Sequence, residues 1–468
     1  MKLKQYRKTW FRRLRYGRPY YAAYAPAGLR EVRRQSQFQI SKGEASMRRV
    51  TLLAGLFSIA LFWAGCSTPA PETNAIVYEG ARLIVGDESA PIENSSFVVE
   101  NDRFIAVGQK GQVTGPEGAR RVDLTGKTVM PAIIDTHKHL PQDREGLIKS
   151  LEGFAYYGVG VATSLGRDFA PMFQLRGETI PNAARVRTAG RGITGPEPGR
   201  TEDPIWIKTE DEARKAVQEN AANKVDVIKI WVDDRNRTVT KLSPALYGAV
   251  IDEAHKNNIR VTAHIFSLAD AKGLLRANLD LFAHGVRDRD VDDEFLNLAK
   301  ERQGLILAPN LPDRGVAEDM SWLADSKPAA DLEKIQAEFK DDPDLQKAFG
   351  IQARNLKKMS DAGVKIAFGT DGADPWQAHV EMSDMVATGM TPAQVITAAT
   401  RNSADLLQIA DSGTVATGKT ADFVVLDANP LDDIKNTRRI SAVYLRGAEV
   451  DRAAVRAKLT AAAPPAAQ

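Results

Sequence analysis

Five short apolar runs each end on, or enclose, a side chain that packing alone does not call for. The first reads Val129-Met130-Pro131-Ala132-Ile133-Ile134-Asp135-Thr136-His137-Lys138-His139. Residues two apart on a strand share a face, so His137 and His139 point together, with Asp135 behind them. Two imidazoles converging at a strand end form half of a metal site. The second run is Val225-Asp226-Val227-Ile228-Lys229-Ile230-Trp231, in which Val225, Val227, Lys229 and Trp231 share one face. A charged, unpaired lysine there is costly. It either snorkels or pairs with a buried acid, or burial lowers its pKa until the amine is neutral. A neutral amine can take up CO2, and the resulting carbamate has two oxygens able to bridge two cations. The remaining runs are Val261-Thr262-Ala263-His264, Leu281-Phe282-Ala283-His284-Gly285 and Ile366-Ala367-Phe368-Gly369-Thr370-Asp371-Gly372. Each run taken singly has a bland explanation in packing. All five together, each toward the C-terminal end of a different expected strand, do not.

The spacing of these runs suggests how they are assembled. Strands are expected near 132–136, 159–166, 185–190, 225–232, 260–266, 280–284, 305–310 and 365–371, with helices between most of them, such as 209–220, 243–257 and 332–361. Eight β/α units over about 280 residues predict an α/β fold, a (β/α)8 TIM-like barrel whose active site lies at the C-terminal ends of its strands. Hydrophobic content of 43% and charged content of 26% leave ample material for one large core. Short alternating runs over 74–131, separated by turn residues, predict antiparallel β structure, and Phe423–Leu426 and Ile440–Leu445 look the same. Neither flank can bury a core alone, so 74–131 and 411–458 are expected to pair into a small β-sandwich beside a barrel over 132–410, with 459–468 a disordered tail.

The net charge of +3 conceals a segregation. Residues 1–49 carry 14 Lys/Arg and the acids Glu31 and Glu44, a balance of +12 that leaves −9 for the rest. The body therefore has no nucleic-acid footprint, and residues 1–46 read as an extension ahead of a true start at Met47. From there Arg48-Arg49, an apolar run from Val50 to Trp63 and Ala64-Gly65-Cys66 have the layout of a secretory signal. The run is shorter than the roughly 20 apolar residues that span a bilayer. It resembles a bacterial lipoprotein signal (47–66), with Cys66, the only cysteine, lipidated and 67–73 a tether. Trp63 departs from the aliphatic residue usual there. The expected location is the periplasm, with outer-membrane attachment through the lipid alone.

The set HxH, Lys, His, His, Asp is similar to that of the binuclear amidohydrolase superfamily. The middle and end of the chain resemble its imidazolonepropionase-like and zinc-dipeptidase (prolidase) branch. The resemblance covers about residues 74–458 and includes Asp123-Leu124-Thr125-Gly126-Lys127-Thr128-Val129-Met130-Pro131, Gly369-Thr370-Asp371 and the segment from Gly413 to Leu426. It implies two divalent ions, zinc by ligand type. His137, His139 and Asp371 would hold one, His264 and His284 the other, and carboxylated Lys229 would bridge them. It implies a metal-activated hydroxide attacking an amide or dipeptide-like small molecule, with Asp371 handling the proton; cyclic amides, lactones, carbamates and esters are the nearest alternatives. A non-catalytic solute-binding lipoprotein is the alternative of another class, and the complete ligand set argues against it. A homo-oligomer is compatible with all of these.

Two departures bear on substrate. Pro131-Ala132 stands where the family has Pro-Gly, a small packing change. Gly190-Arg191-Gly192-Ile193-Thr194-Gly195 stands where related dipeptidases carry Gly-Gly-His. Arg167, after the second strand, has the fork of donors to grip a substrate carboxylate, an ordinary loop arginine being the alternative. His379, eight residues after Asp371, is placed as a second substrate contact. Asp233-Asp234 either favours a cationic group or starts a helix, and His255 is structural.

Overall fold

The computed structural model describes residues 73–199 and 203–461. The expected extension over 1–46, the signal with Cys66, all but the last residue of the tether, and residues 462–468 lie outside the described residues. Within them the fold is α/β, with parallel strands and helices alternating through the middle and mixed sheets formed by the flanks.

All eight central strands expected from the sequence are present. Ile133–Lys138, Val159–Ser164 and Arg185–Thr188 form a parallel sheet of three. Ile228–Val232, Val261–Ile265, Leu281–Phe282, Ile306–Leu307 and Lys365–Ile366 continue in parallel order in a second sheet. That sheet begins with two short strands not anticipated, Ile205–Trp206 and Ile193–Thr194. Hydrogen bonds join the two sheets on both sides. Thr136 N donates to Phe368 O at 3.1 Å and Asp371 N to His137 O at 2.9 Å, while on the other side Asp226 N donates to Thr188 O at 2.9 Å.

The strands are buried on both faces, as parallel strands covered by helices must be. Alternate residues feed two different cores. Ile134, Val161, Val227, Leu281, Ala283, Ile306, Ala308 and Ala367 pack together among the strands. Ile133, Val159, Ile228, Phe282, Leu307 and Ile366 pack outward under the helices. Polar residues at the helix starts fix where each helix begins. Thr209 and Glu212 form a reciprocal capping box at the head of Glu210–Ala222, and Ser243 caps Pro244–Lys256, whose proline opens the first turn.

The expected helix over 332–361 is two helices, Ala329–Glu338 and Pro343–Asp361. Pro343 cannot continue a helix from upstream, and the Asp342 carboxylate instead caps a new one by accepting from Asp344 N and Leu345 N. The first two residues of the expected tail are ordered. Leu459 and Thr460 end the helix Arg452–Thr460, and Leu459 packs against the main core.

The flanks do not form purely antiparallel sheets. Ile76–Glu79 pairs antiparallel with Ser95–Glu100 but parallel with Arg120–Asp123, and Arg82–Leu83 runs parallel to Thr128–Pro131. The two flanks join within one sheet, where Thr128–Pro131 pairs antiparallel with Phe423–Leu426, which in turn pairs with Ile440–Leu445. Aromatic rings fill the space between the sheets. Phe423 stacks on Tyr444 with centroids 4.5 Å apart and meets Tyr78 and Phe97 edge-on, each at 5.3 Å. Phe423→Ala removes the ring all these touch and is expected to lower unfolding free energy by about 3–5 kcal/mol. Denaturant unfolding checks this; a loss under about 1 kcal/mol would show that the flanking sheets stand without this cluster.

Candidate metal centre

The first and last strands of the parallel series are clasped by one carboxylate. Asp135 is fully buried. Its Oδ1 accepts from His137 N at 3.1 Å and Thr370 N at 3.2 Å. Its Oδ2 accepts from Thr370 Oγ1 at 3.0 Å and pairs with Lys138 Nζ at 3.2 Å. Lys138 is equally buried; it donates to Asp374 O at 3.2 Å and lies over the Phe154 ring. Both His137 and Asp371 hang directly on this clasp.

The backbone around it is shaped for close approach. Asp371 has φ +54°, a left-handed conformation that non-glycine residues seldom adopt. A Cβ at Gly369 would lie 2.5 Å from Asn310 Oδ1 and 2.9 Å from His137 Cβ, so only glycine fits there. The pairing of Ile133–Lys138 with its neighbour shifts register between Asp135 and Lys138. That irregularity turns His137 inward, although it lies three residues from inward-packed Ile134.

His137 Nε2 and His139 Nε2 lie 3.1 Å and 3.0 Å from Asp371 Oδ1. The ligand atoms of these three residues all fall within 4.8 Å of one another, the one such group among the described residues. Two imidazole nitrogens and a carboxylate oxygen at this spacing fit a divalent metal such as zinc. Burial, followed by the nearby Lys229 charge, depresses His137 to about 3, so its ring is neutral as a ligand must be. Asp371 is raised by burial, but the adjoining His137 and the hydrogen bonds from His137 and His139 outweigh this and hold it well below the usual carboxylate range.

Lys229 lies fully buried, and its Nζ has no hydrogen-bond partner among the described residues. Burial is the main cause lowering its pKa to about 7, with the Arg287 and Arg235 charges adding to it and Asp371 opposing. Nothing snorkels, and no acid pairs with the amine, so of the readings open at the sequence level the neutral lysine fits. Trp231 covers it, with the ring centroid 5.4 Å from Nζ. Gly166 and Gly192 make room for that indole, since a Cβ at either would come within 2.5 Å and 2.2 Å of it.

His284 is brought to the same cluster, its ring 5.1 Å from that of His137 and its Nε2 3.6 Å from Asp371 Oδ2. The His264 ring is 4.6 Å from that of His284. Yet His264 Nε2 faces other groups, lying 3.2 Å from Asp233 Oδ2 and 3.3 Å from Arg235 Nη1. Burial and then the Arg235 charge hold His264 well below its ordinary value; for His284 the causes are burial and Arg287. Of the two histidines expected to hold a second metal, His264 thus has its Nε2 against Asp233 and Arg235, while His284 lies beside Asp371.

The two expected substrate contacts sit elsewhere. Arg167 is exposed and tied to Asp203 by Nε to Oδ2 at 2.7 Å, with a second contact through Nη2. His379 is buried inside Gln377–Ala387, its Nδ1 3.0 Å from Thr437 Oγ1 and its Nε2 3.1 Å from Tyr157 O. With both ring nitrogens engaged, it braces the wall and touches no substrate space. His255 pairs with Asp280 at 2.8 Å, a structural use as expected.

Sequence reasoning missed Asn310 and Arg235. Asn310 Nδ2 lies 2.9 Å from His137 Nδ1 and donates to Ala283 O and Ala308 O, fixing the ring from behind. Its place after the apolar run 305–308 was the available signal. For Arg235 there was none, because its approach depends on the turn that follows Asp233.

Residues 128–450 match the amidohydrolase family. An ochratoxinase of Aspergillus niger is 25% identical over 425 residues, covering 79% of this chain and 84% of that protein. An imidazolonepropionase of Deinococcus radiodurans is 25% identical over 412 residues, covering 80% and 99%. The solved structure of a Xaa-Pro dipeptidase superposes with TM-score 0.65 at 21% identity, covering 80% of this chain and 99% of that one, a likeness of fold.

Lys138→Met leaves the buried Asp135 carboxylate without its cation. Breaking a buried pair from one side is expected to cost about 3–5 kcal/mol, read by denaturant unfolding, and to weaken metal retention. Adding Asp135→Asn should restore part of the stability. A Lys138→Met protein as stable as the parent would show that the clasp does not depend on the lysine.

Proposed function

The chain belongs to the amidohydrolase family, and from that premise we propose that it hydrolyses amide or peptide C–N bonds in small molecules through one divalent metal centre at the C-terminal ends of its parallel strands. The observation that carries this reading is the convergence of His137, His139 and Asp371 beside a fully buried Lys229 whose Nζ has no hydrogen-bond partner among the described residues. We read the two parallel sheets, hydrogen-bonded to each other on both sides, as one closed (β/α)8 barrel, in which that end is where catalytic groups gather.

His137, His139 and Asp371 would hold the ion, zinc by ligand type, with Lys229 joining them once carboxylated. Uptake of CO2 joins the lysine nitrogen to carbon and releases a proton to solvent, turning a buried amine into an anionic oxygen donor. A divalent ion bound here supplies Lewis acidity, which lowers the pKa of water and polarises a carbonyl. The other steps belong to the chain's own groups. Asp371 is held on Oδ1 by His137 and His139, which leaves Oδ2 to take a proton from the attacking water and return it to the leaving nitrogen. Trp231 and the glycine loops over Lys229 exclude solvent from the amine.

Kinship with a family named for amide hydrolysis supports the bond class. N-acyl amino acids and dipeptide-like molecules are the substrates proposed, and Cys66 with the apolar run before it supports export as a lipoprotein. Lys229→Ala is expected to lose metal and at least 100-fold in kcat/KM, with partial recovery in short carboxylic acids that replace the missing oxygen donor. Full activity in that variant would exclude the carbamate. A panel of dipeptides, N-acyl amino acids and lactones tests the bond class; turnover of lactones alone would replace the amide reading with an ester one.

A further inference from the structure

We infer that Arg235, and not a second metal ion, is the second cation of this centre, so that the chain holds a single divalent ion at His137, His139 and Asp371. The inference rests on the metal-dependent reading above and adds to it which cations the site contains.

The geometry is a closed triangle of polar atoms. Asp233 Oδ2 lies 3.1 Å from Arg235 Nη1 and 3.2 Å from His264 Nε2, and the last two atoms are 3.3 Å apart. A metal on His264 would sit about 2.0–2.1 Å from Nε2. It would have to enter the space between Nε2 and a guanidinium nitrogen, placing a divalent charge within bonding range of another cation. The guanidinium cannot escape this by losing a proton. Its position is also enforced from two directions. Arg235 Nε donates to Glu197 Oε1 at 3.2 Å, and Glu197 is buried on the loop after Ile193–Thr194. The backbone at Arg235, Asn236 and Arg237 is left-handed at φ +49°, +69° and +64°, which turns the chain back over the strand end. Asp233 Oδ1 holds that turn by accepting from Arg235 N at 2.9 Å.

The arrangement supplies one positive charge at a fixed place, where a second divalent ion would bring two. Arg235 also acts electrostatically on Lys229, after Arg287. A carbamate on Lys229 would thus feel the guanidinium charges of Arg287 and Arg235 as well as a bound metal ion. A guanidinium presents paired N–H donors that suit a two-oxygen anion.

The test is metal stoichiometry. Full-length protein is stripped of metal, titrated with zinc by calorimetry, and analysed for zinc after gel filtration. One zinc per chain is expected for the parent, and Arg235→Ala, which removes the guanidinium from beside His264 and Asp233, should bind a second. Adding His264→Asn to that variant should return it to one. His264→Asn alone, should Arg235→Ala fail to fold, should still hold one. Two ions in the parent, no gain in Arg235→Ala, or less than one in His264→Asn would each overturn the inference while leaving the hydrolase reading standing. No zinc in the parent would overturn both.

Discussion

The Asp135 carboxylate holds the first and last parallel strands in one register, and the centre depends on that register. Its four hydrogen-bonded partners come from His137, Lys138 and Thr370. Two of those groups are the backbone N–H of a candidate ligand and of the residue before one. A buried charge tolerates little freedom, because each lost partner leaves an uncompensated lone pair in a low-dielectric interior. The positions of His137 and Asp371 are therefore set by electrostatics behind the site as well as by packing beneath it. Asn310, which braces His137 from the other side, completes this backing.

Charge is distributed around the centre with a consistent logic. Burial keeps His137, His264 and His284 neutral and lowers Lys229 toward neutrality. Asp371 keeps its charge, because the adjoining His137 and the hydrogen bonds from His137 and His139 hold its pKa down. The fixed positive charge is carried by arginines, which do not titrate in this setting. Neutral imidazoles, a neutral amine and one carboxylate are the protonation states that metal ligation and CO2 uptake require. The low-dielectric surroundings produce these states without a dedicated partner for each group.

Much of this was legible in the chain. The five runs marked the strand ends because burial on both faces leaves few polar residues in a parallel strand, so those that occur stand out. Pairwise parity also served for His137 and His139. It did not extend to the whole strand, since the register shift after Asp135 breaks the alternation that begins at Ile134. Period alone cannot reveal a bulge. His379 was misplaced for a different reason: distance along the chain from Asp371 suggested a loop, whereas Gln377 already begins a helix that buries the ring. Arg167 looked free because its partner Asp203 lies 36 residues away, across a loop without periodicity.

The segment that departs most from the family pattern is also the one that anchors Arg235. Where related dipeptidases carry a histidine, residues 190–199 run through Gly190, Gly192 and the short strand Ile193–Thr194 to Glu197. Gly192 is required because the Trp231 indole occupies the place its Cβ would take. Glu197 is required because it receives the guanidinium. The loop at 190–199 and the turn after Asp233 thus meet at one ion pair, Glu197 with Arg235. Arg235 meets Glu197 through Nε and meets Asp233 and His264 through Nη1, so the guanidinium is held from both loops. The position of Arg235, on which the inferred cation content turns, is consequently set jointly by these two loops.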